Sequence, residues 1–296
     1  MSFGMKEIKK LRERTGAGVL DCKKALQEND GDVDAAIDYL REKGMAAAAK
    51  RAGKVAAEGL VQTDINEEKN EGLILEVNCE TDFVAKNDNF IELVDDINQQ
   101  LKESEADTVE EALAEAYYKN EDKTLETVIK EAVASIGENI RLRRFARCQT
   151  DGFLHSYIHM GGKIGVLVEF SGEENLTAAN NIAMHIAASS PEYLSREDVS
   201  EEDIAREKKV YREQMLNEGK PEHIIDDIVE GKLGKFYTQI CLLEQEYVRD
   251  TDLTVGEYLE EVELEVESFV RYEVGEGIET EEEDFAEEVK AQMENN

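Results

Sequence analysis

Basic residues are scarce in this chain: 34 Lys and Arg stand against 69 Asp and Glu, a formal charge of −35 over 296 residues. Gripping a nucleic-acid backbone takes clustered cations, so direct nucleic-acid binding is not expected. The acidic excess suits a very soluble protein of the cytoplasm. Cysteine is equally sparse. Cys22, Cys79, Cys148 and Cys241 are scattered, with no Cys-x-x-Cys pair, which argues against a disulfide framework or zinc ribbon and fits a reducing compartment. No window approaches the roughly 18 apolar residues of a membrane span. Lys6, Lys9 and Lys10 are followed by no apolar stretch, so no secretory signal is expected. The P-loop, GxGxxG and GxSxG patterns are missing as well.

The reactive side chains that are present form no evident centre. His155 and His159 lie in a strand pattern, where a spacing of four puts both on one face. A metal pair there would need a third ligand, and none is close in the sequence. Cys79 has Glu80 and Asp82 beside it, and carboxylates disfavour the thiolate a nucleophile needs. His185 and His223 fall in helical patterns. Neither an enzyme nor a cofactor or metal is expected. One dense basic run, Arg141-Leu142-Arg143-Arg144-Phe145-Ala146-Arg147, reads as a strand with a basic face. It either pairs with the acidic excess or touches RNA, and pairing is the preferred reading.

At roughly 150 residues per domain the length suggests two domains with a real core. Residues 1–52 read as three short helices. Ile8 and Leu11 mark the first, and Val19, Cys22 and Leu26 the second. The third starts on the N-cap Asp32, buries Val33, Ala36, Ile37 and Leu40, and ends at Gly44. This pattern resembles the ubiquitin-associated type of three-helix bundle. The alanine-rich, basic residues 45–54 read as a short helical linker. Strands are expected at 59–65, 72–78, 139–149, 153–160, 163–170 and 263–274, and helices to about 102, at 109–118, at 125–136 and at about 175–188. Gly72-Leu73-Ile74-Leu75-Glu76-Val77 is echoed by Gly165-Val166-Leu167-Val168-Glu169-Phe170, each run followed by a turn and a helix.

The fold class is therefore α+β: a UBA-like bundle (1–52), a core of two related halves with antiparallel sheets (53–138, then 139–199 with 247–278), a helical hairpin inserted at 200–246, and a C-terminal helical module (279–296). The hairpin is marked by Ile204, Val210, Tyr211 and Met215, then Gly219 and Pro221, then Ile224, Ile225, Ile228, Val229 and Leu233. It is open to three readings: contact with a partner, self-association with another copy of the chain, or no contact.

The chain centres on Asn78-Cys79-Glu80-Thr81-Asp82-Phe83-Val84-Ala85-Lys86-Asn87. The apolar run before it has strand length, and Phe90, Leu93, Val94, Ile97 and Leu101 after it mark the inner face of a helix. The stretch is thus a strand-to-helix turn with an aromatic at its tip. Phe83 either folds back as a staple on its own helix or stands out as an anchor for a partner.

The same residues carry a resemblance. Arg12-Glu13-Arg14-Thr15-Gly16-Ala17-Gly18 with Asp21-Cys22-Lys23-Lys24-Ala25-Leu26, and Asn78 to Lys86, resemble the two signatures of the bacterial elongation factor Ts family. Ile136-Gly137-Glu138-Asn139-Ile140, His185-Ile186-Ala187-Ala188-Ser189 and Val274-Gly275-Glu276-Gly277-Ile278 are similar to further family motifs in the expected order. The resemblance implies a guanine-nucleotide exchange factor whose partner is the translational GTPase elongation factor Tu. It implies that Asp82 and Phe83, flanked by Thr81 and Val84, are a tip that wedges against the GTPase domain and disturbs its magnesium. It further implies that Arg12, Val19, Leu20 and Lys23 grip that domain. Ile136, Gly137 and His159 would make a second hold on another domain, and Phe285 and Val289 in the C-terminal helix would assist. Two alternatives stand beside it. One is a UBA-type protein-binding scaffold. The other is an enzyme using Cys79 or the His155/His159 pair.

Overall fold

The computed structural model describes residues 3–15 and 17–279. It opens with α1 (Met5–Thr15), α2 (Val19–Glu28) and α3 (Val33–Arg51), followed by β1 (Glu58–Ile65), β2 (Glu71–Cys79), α4 (Asp82–Ala85) and α5 (Asp88–Glu103). Next come α6 (Val109–Ala114), β3 (Ala116–Tyr117), β4 (Asn120–Thr124), α7 (Leu125–Ile136) and β5 (Arg141–Gln149). The chain continues through β6 (Phe153–His159), β7 (Ile164–Gly172), α8 (Leu176–Ser189), α9 (Glu201–Asn217) and α10 (Glu222–Ile240). It closes with β8 (Glu246–Tyr247), β9 (Asp250–Thr254), α11 (Val255–Glu261) and β10 (Leu264–Glu273). This is an α+β fold. It divides into two units, Met1–Leu60 with Val77–Arg143 and Val274–Asn296, and Val61–Glu76 with Arg144–Glu273.

In the first unit α1, α2 and α3 close a small core of Ile8, Leu11, Cys22, Ala25, Leu26 and Ala36. Asp32 starts α3 as expected, its carboxylate accepting from the amides of Asp34 and Ala35 at 2.9 and 3.1 Å. The helix does not stop at Gly44, however. It runs on to Arg51, so the supposed linker is its last turns. A Cβ at position 44 would lie 2.8 Å from that of Ala134 on α7. Glycine here allows α3 and α7 to approach closely, and its helix penalty of about 1 kcal/mol is offset by that packing. The predicted stripe on α5 is buried throughout: Phe90, Leu93, Val94, Ile97 and Leu101 are all core residues. Full burial contributes about 2 kcal/mol for each such side chain.

The internal echo extends much further than the two matching runs. The sheet orders are β1-β2-β5 and β6-β7-β10, with β7 antiparallel to both of its neighbours. In each half two strands lead to a long helix, then a short hairpin, a further helix and a last strand that returns beside the second. The hairpins share one register: Ala116 pairs with Thr124 and Tyr117 with Asn120, as Glu246 pairs with Thr254 and Tyr247 with Asp250. Thr124 and Thr254 then cap the next helix through the amides of Thr127 and Glu257. Glycines match too. A Cβ on Gly59 would lie 2.1 Å from the Val77 carbonyl oxygen, and one on Gly152 would lie 2.0 Å from that of Phe170.

Other elements also differ from the sequence reading, α11 (Val255–Glu261) among them, which it did not include. The helix expected over 109–118 ends at Ala114, and Tyr117 belongs to a hairpin. Both hairpins escaped notice because Asn120–Thr124 and Asp250–Thr254 are polar and largely exposed, so they show no apolar alternation. Their anchors are single tyrosines, Tyr117 and Tyr247, each nearly fully buried. The second unit's core gathers Phe153, Val166, Val168, Phe170, Ile182, Ile186, Val255 and Leu264.

The hairpin α9–α10 has a core of its own, with Met215, Ile225, Val229 and Leu233 buried and Ile204, Tyr211 and Phe236 packed on them. Val210, grouped above with this stripe, is instead half exposed on the outer face. Gly219, at φ 73°, lets Lys220 donate its amide to the Met215 carbonyl and end α9. The basic strand β5 is largely neutralised at its centre. Arg144 bonds the fully buried Glu76 carboxylate at 2.6 Å and stacks 4.1 Å from the Tyr272 ring, while Arg143 donates to the Glu276 carbonyl.

Candidate partner-binding surface

β2 delivers the chain to the tip as a buried strand that ends at Cys79. Thr81, in extended conformation, caps the single turn α4 by accepting the Val84 amide at its Oγ1, 3.3 Å away. Ala85 is buried and anchors the turn from below, whereas Phe83 is 82% exposed. The staple reading is thereby excluded. Asp82 is held by Lys86, whose ammonium lies 2.7 Å from its carboxylate and has its pKa raised by that hydrogen bond.

Behind the tip stands Glu138. One carboxylate oxygen accepts the amides of Glu80 and Thr81 at 3.1 and 3.0 Å, and the other accepts the Thr81 hydroxyl at 2.7 Å. Glu138 lies within the Ile136-Gly137-Glu138-Asn139-Ile140 motif. No local pattern points to it, because the amides it accepts lie 58 and 57 residues away in the sequence. Cys79, offered above as a nucleophile, is fully buried and points its thiol at the Thr81 carbonyl, 3.2 Å away. It belongs to the scaffold of the turn. The other thiols are no better placed: burial raises the pKa of Cys22 and Cys148 and pushes Cys241 up to about 11.

The four residues named on the bundle all reach solvent. Arg12 lies on the outer face of α1, and Val19, Leu20 and Lys23 lie on α2, with Leu20 81% exposed. Val19 is therefore a surface residue and not part of the α2 core, which consists of Cys22, Ala25 and Leu26. Ile136 and Gly137 end α7, with Gly137 at φ 89°. A cavity of about 420 Å³ opens between the bundle and α7, lined among others by Leu40, Arg41, Met45, Lys123 and Glu131. Among its lining charges Glu131 pairs with Arg41 and Lys123, and Lys43 with Asp21, while Arg14 pairs with Asp34 outside the lining.

His159 belongs to the other unit, at the exposed end of β6, where its Nδ1 meets the Tyr157 hydroxyl at 2.9 Å. Beside it is a pocket of about 150 Å³ lined by Tyr157, Met184, Ala187, Val248 and Arg249. Met160, 73% exposed, follows it in the chain. His155, on the same strand face, lies 3.4 Å from the Asn180 side-chain oxygen, and burial lowers its pKa. Among the described residues no group of three potential ligands could hold a metal ion. Phe285 and Val289 lie outside the described residues.

His185 supplies a pH dependence near this surface. Fully buried in α8, it accepts the Val248 amide at Nδ1 and faces the Gln245 side-chain oxygen from Nε2 at 2.9 Å. That pairing requires the neutral ring protonated at Nε2. Burial lowers its pKa below the ordinary 6.5. The unfolded chain then takes up the proton first as pH falls. The stabilisation is complete above about pH 6.5 and is lost below it, by at most about 1.4 kcal/mol per pH unit. Urea unfolding at pH 7.5 and 5.5 should show this loss in the wild type and a smaller one in His185→Gln. Equal losses would remove His185 from the account.

Fold and surface together define an α+β protein that displays an aromatic side chain on a firmly held turn. The sequence model of the family described as Elongation factor TS matches residues 80–276. The chain is 60% identical over 296 residues to Elongation factor Ts of Halothermothrix orenii (strain H 168), covering 99% of each chain. It is 49% identical over 299 residues to Elongation factor Ts of Clostridium botulinum (strain Loch Maree / Type A3), covering 97% of each. The chain belongs to the elongation factor Ts family and is thus a translation elongation factor. No helix among the described residues is long and apolar enough to cross a membrane.

Proposed function

We propose that this protein is a guanine-nucleotide exchange factor that acts in the cytoplasm on the GTPase elongation factor Tu. It binds the GDP-bound partner, loosens the nucleotide and leaves a site that GTP refills. The observation that carries this reading is Phe83, a large aromatic held almost wholly in solvent by a capped and braced turn. An exposed aromatic on a rigid support is the kind of anchor that dominates interface energetics.

The mechanism is linkage. Factor and GDP bind one partner, and each weakens the other by the same coupling free energy, typically about 1–3 kcal/mol. A factor that bound the empty and GDP-loaded partner equally well would shift nothing. Phe83 and Asp82 therefore make their favourable contacts in the distorted, nucleotide-loosened state. Magnesium bridges the phosphates and demands near-ideal octahedral geometry, so a small displacement of its ligands weakens GDP. The exposed Arg12, Val19, Leu20 and Lys23, with Ile136, Gly137 and His159 and the Phe285 and Val289 segment, supply the holds against which the tip pushes. No covalent bond is made or broken, and the magnesium and phosphates belong to the partner.

The test is release of a fluorescent GDP analogue from elongation factor Tu into excess unlabelled GDP. Release should accelerate at least tenfold on addition of this protein. An unchanged release rate with folded protein would rule the reading out.

A further inference from the structure

We infer that Glu138 is a positioning residue for the Asp82–Phe83 tip, the centre of a two-carboxylate clasp that ties the tip to α3 and α7; the inference rests on the exchange reading above. A one-turn helix such as α4 has too few internal hydrogen bonds to hold itself, so its geometry must be imposed from outside. Glu138 imposes it. Its carboxylate takes up the amides of Glu80 and Thr81 and the Thr81 hydroxyl. With the hydroxyl proton aimed at Glu138, the Thr81 oxygen keeps a lone pair for the Val84 amide, which starts the turn.

The clasp is reciprocal. Glu80 accepts the Asn139 amide at 2.6 Å and the Arg51 guanidinium at 3.0 Å, while the Asn139 side chain donates to the Lys54 carbonyl at 2.7 Å. Arg51 is the last residue of α3, and Glu138 follows the left-handed Gly137 that ends α7. Both the bundle that carries Arg12, Val19, Leu20 and Lys23 and the helix end that carries Ile136 thus reach the tip through Glu80 and Glu138. Force applied by docking at those positions has a hydrogen-bonded route to Phe83.

A positioning residue of this kind acts on the rate at saturation and less on docking. Without Glu138, Phe83 keeps its chemistry and its exposure but loses its aim, and misplacement by about 1 Å costs on the order of a hundredfold in reactions that depend on orientation. The variants Glu138→Ala and Glu138→Gln separate this from general damage. Glutamine can accept both amides with its oxygen and donate its own N–H to the Thr81 hydroxyl.

We expect Glu138→Ala to lower the GDP-release rate at saturating factor at least tenfold, with the half-saturating concentration changed less than threefold. Glu138→Gln should restore the saturating rate to within about threefold of wild type. Amide hydrogen exchange in the free factor should show protection at Glu80, Thr81 and Val84 falling tenfold or more in the alanine variant and returning in the glutamine variant. If Glu138→Ala does not fold, Thr81→Val should give the same split, since it removes the hydroxyl that links carboxylate and cap. An unchanged saturating rate, equal losses in both Glu138 variants, or a loss confined to the half-saturating concentration would overturn the assignment. Should wild-type protein itself fail to accelerate release, the exchange reading falls. Amide exchange then still decides whether Glu138 holds the turn.

Discussion

Phe83→Ala should slow GDP release from elongation factor Tu by about 30-fold or more while leaving the factor as stable as before. The two halves of this expectation come from the same number, the 82% exposure of the side chain. An exposed residue away from caps and cores changes stability by no more than about 0.5 kcal/mol when truncated. A central aromatic anchor in an interface, by contrast, is worth about 2 kcal/mol or more, and that energy corresponds to the 30-fold loss. Stopped-flow release with labelled GDP measures the first half, and thermal unfolding of the factor alone measures the second. A Tm lowered by many degrees would mean that Phe83 packs on its own protein. Normal release would mean that the wedge lies elsewhere.

The largest stability effect is expected in the second unit. Glu76 is fully buried, and Arg144 holds it at 2.6 Å while donating to the Glu273 carbonyl at 3.2 Å and stacking on Tyr272. Arg144→Ala takes the guanidinium away from a carboxylate that has already left water. Removing one partner of such a pair typically costs about 3–5 kcal/mol. Arg144→Lys should recover only part of this, because an ammonium offers neither the planar stack nor the fixed fork of donors. The double variant Glu76→Gln/Arg144→Met should be more stable than Arg144→Ala, since no charge remains to be buried. Urea unfolding measures all three. A loss below about 1 kcal/mol for Arg144→Ala would show that the interior tolerates the carboxylate by itself.

How much of this could be read in advance varies with the residues concerned. The stripe from Phe90 to Leu101, the Asp32 cap and the strands around Gly72 and Gly165 were legible because each follows from spacing or from one side chain bonding its own backbone. The repeat was visible only in its apolar runs. Its better markers, the twin hairpins and the glycines at 59 and 152, lie in polar or single-residue features that periodicity does not report. Gly44 has the sequence appearance of a helix stop, because glycine commonly marks one. Here it serves the close approach of another helix, which no local pattern reveals.

Sequence alone determined the charge of the chain, the stripes that make its helices amphipathic, the motifs that carry the family resemblance and the position of the tip within it. All of these are properties of neighbouring residues. Whether Phe83 is displayed or folded back depends on what the rest of the chain leaves uncovered. The turn that carries it is bonded at Thr81 by a carboxylate 57 residues further along the chain, brought there only once α7 has ended at Gly137. Periodicity tells which face of an element is apolar, and it is silent on which distant group will meet a turn. That meeting is set by the return path of the chain, and so the tertiary structure decided it.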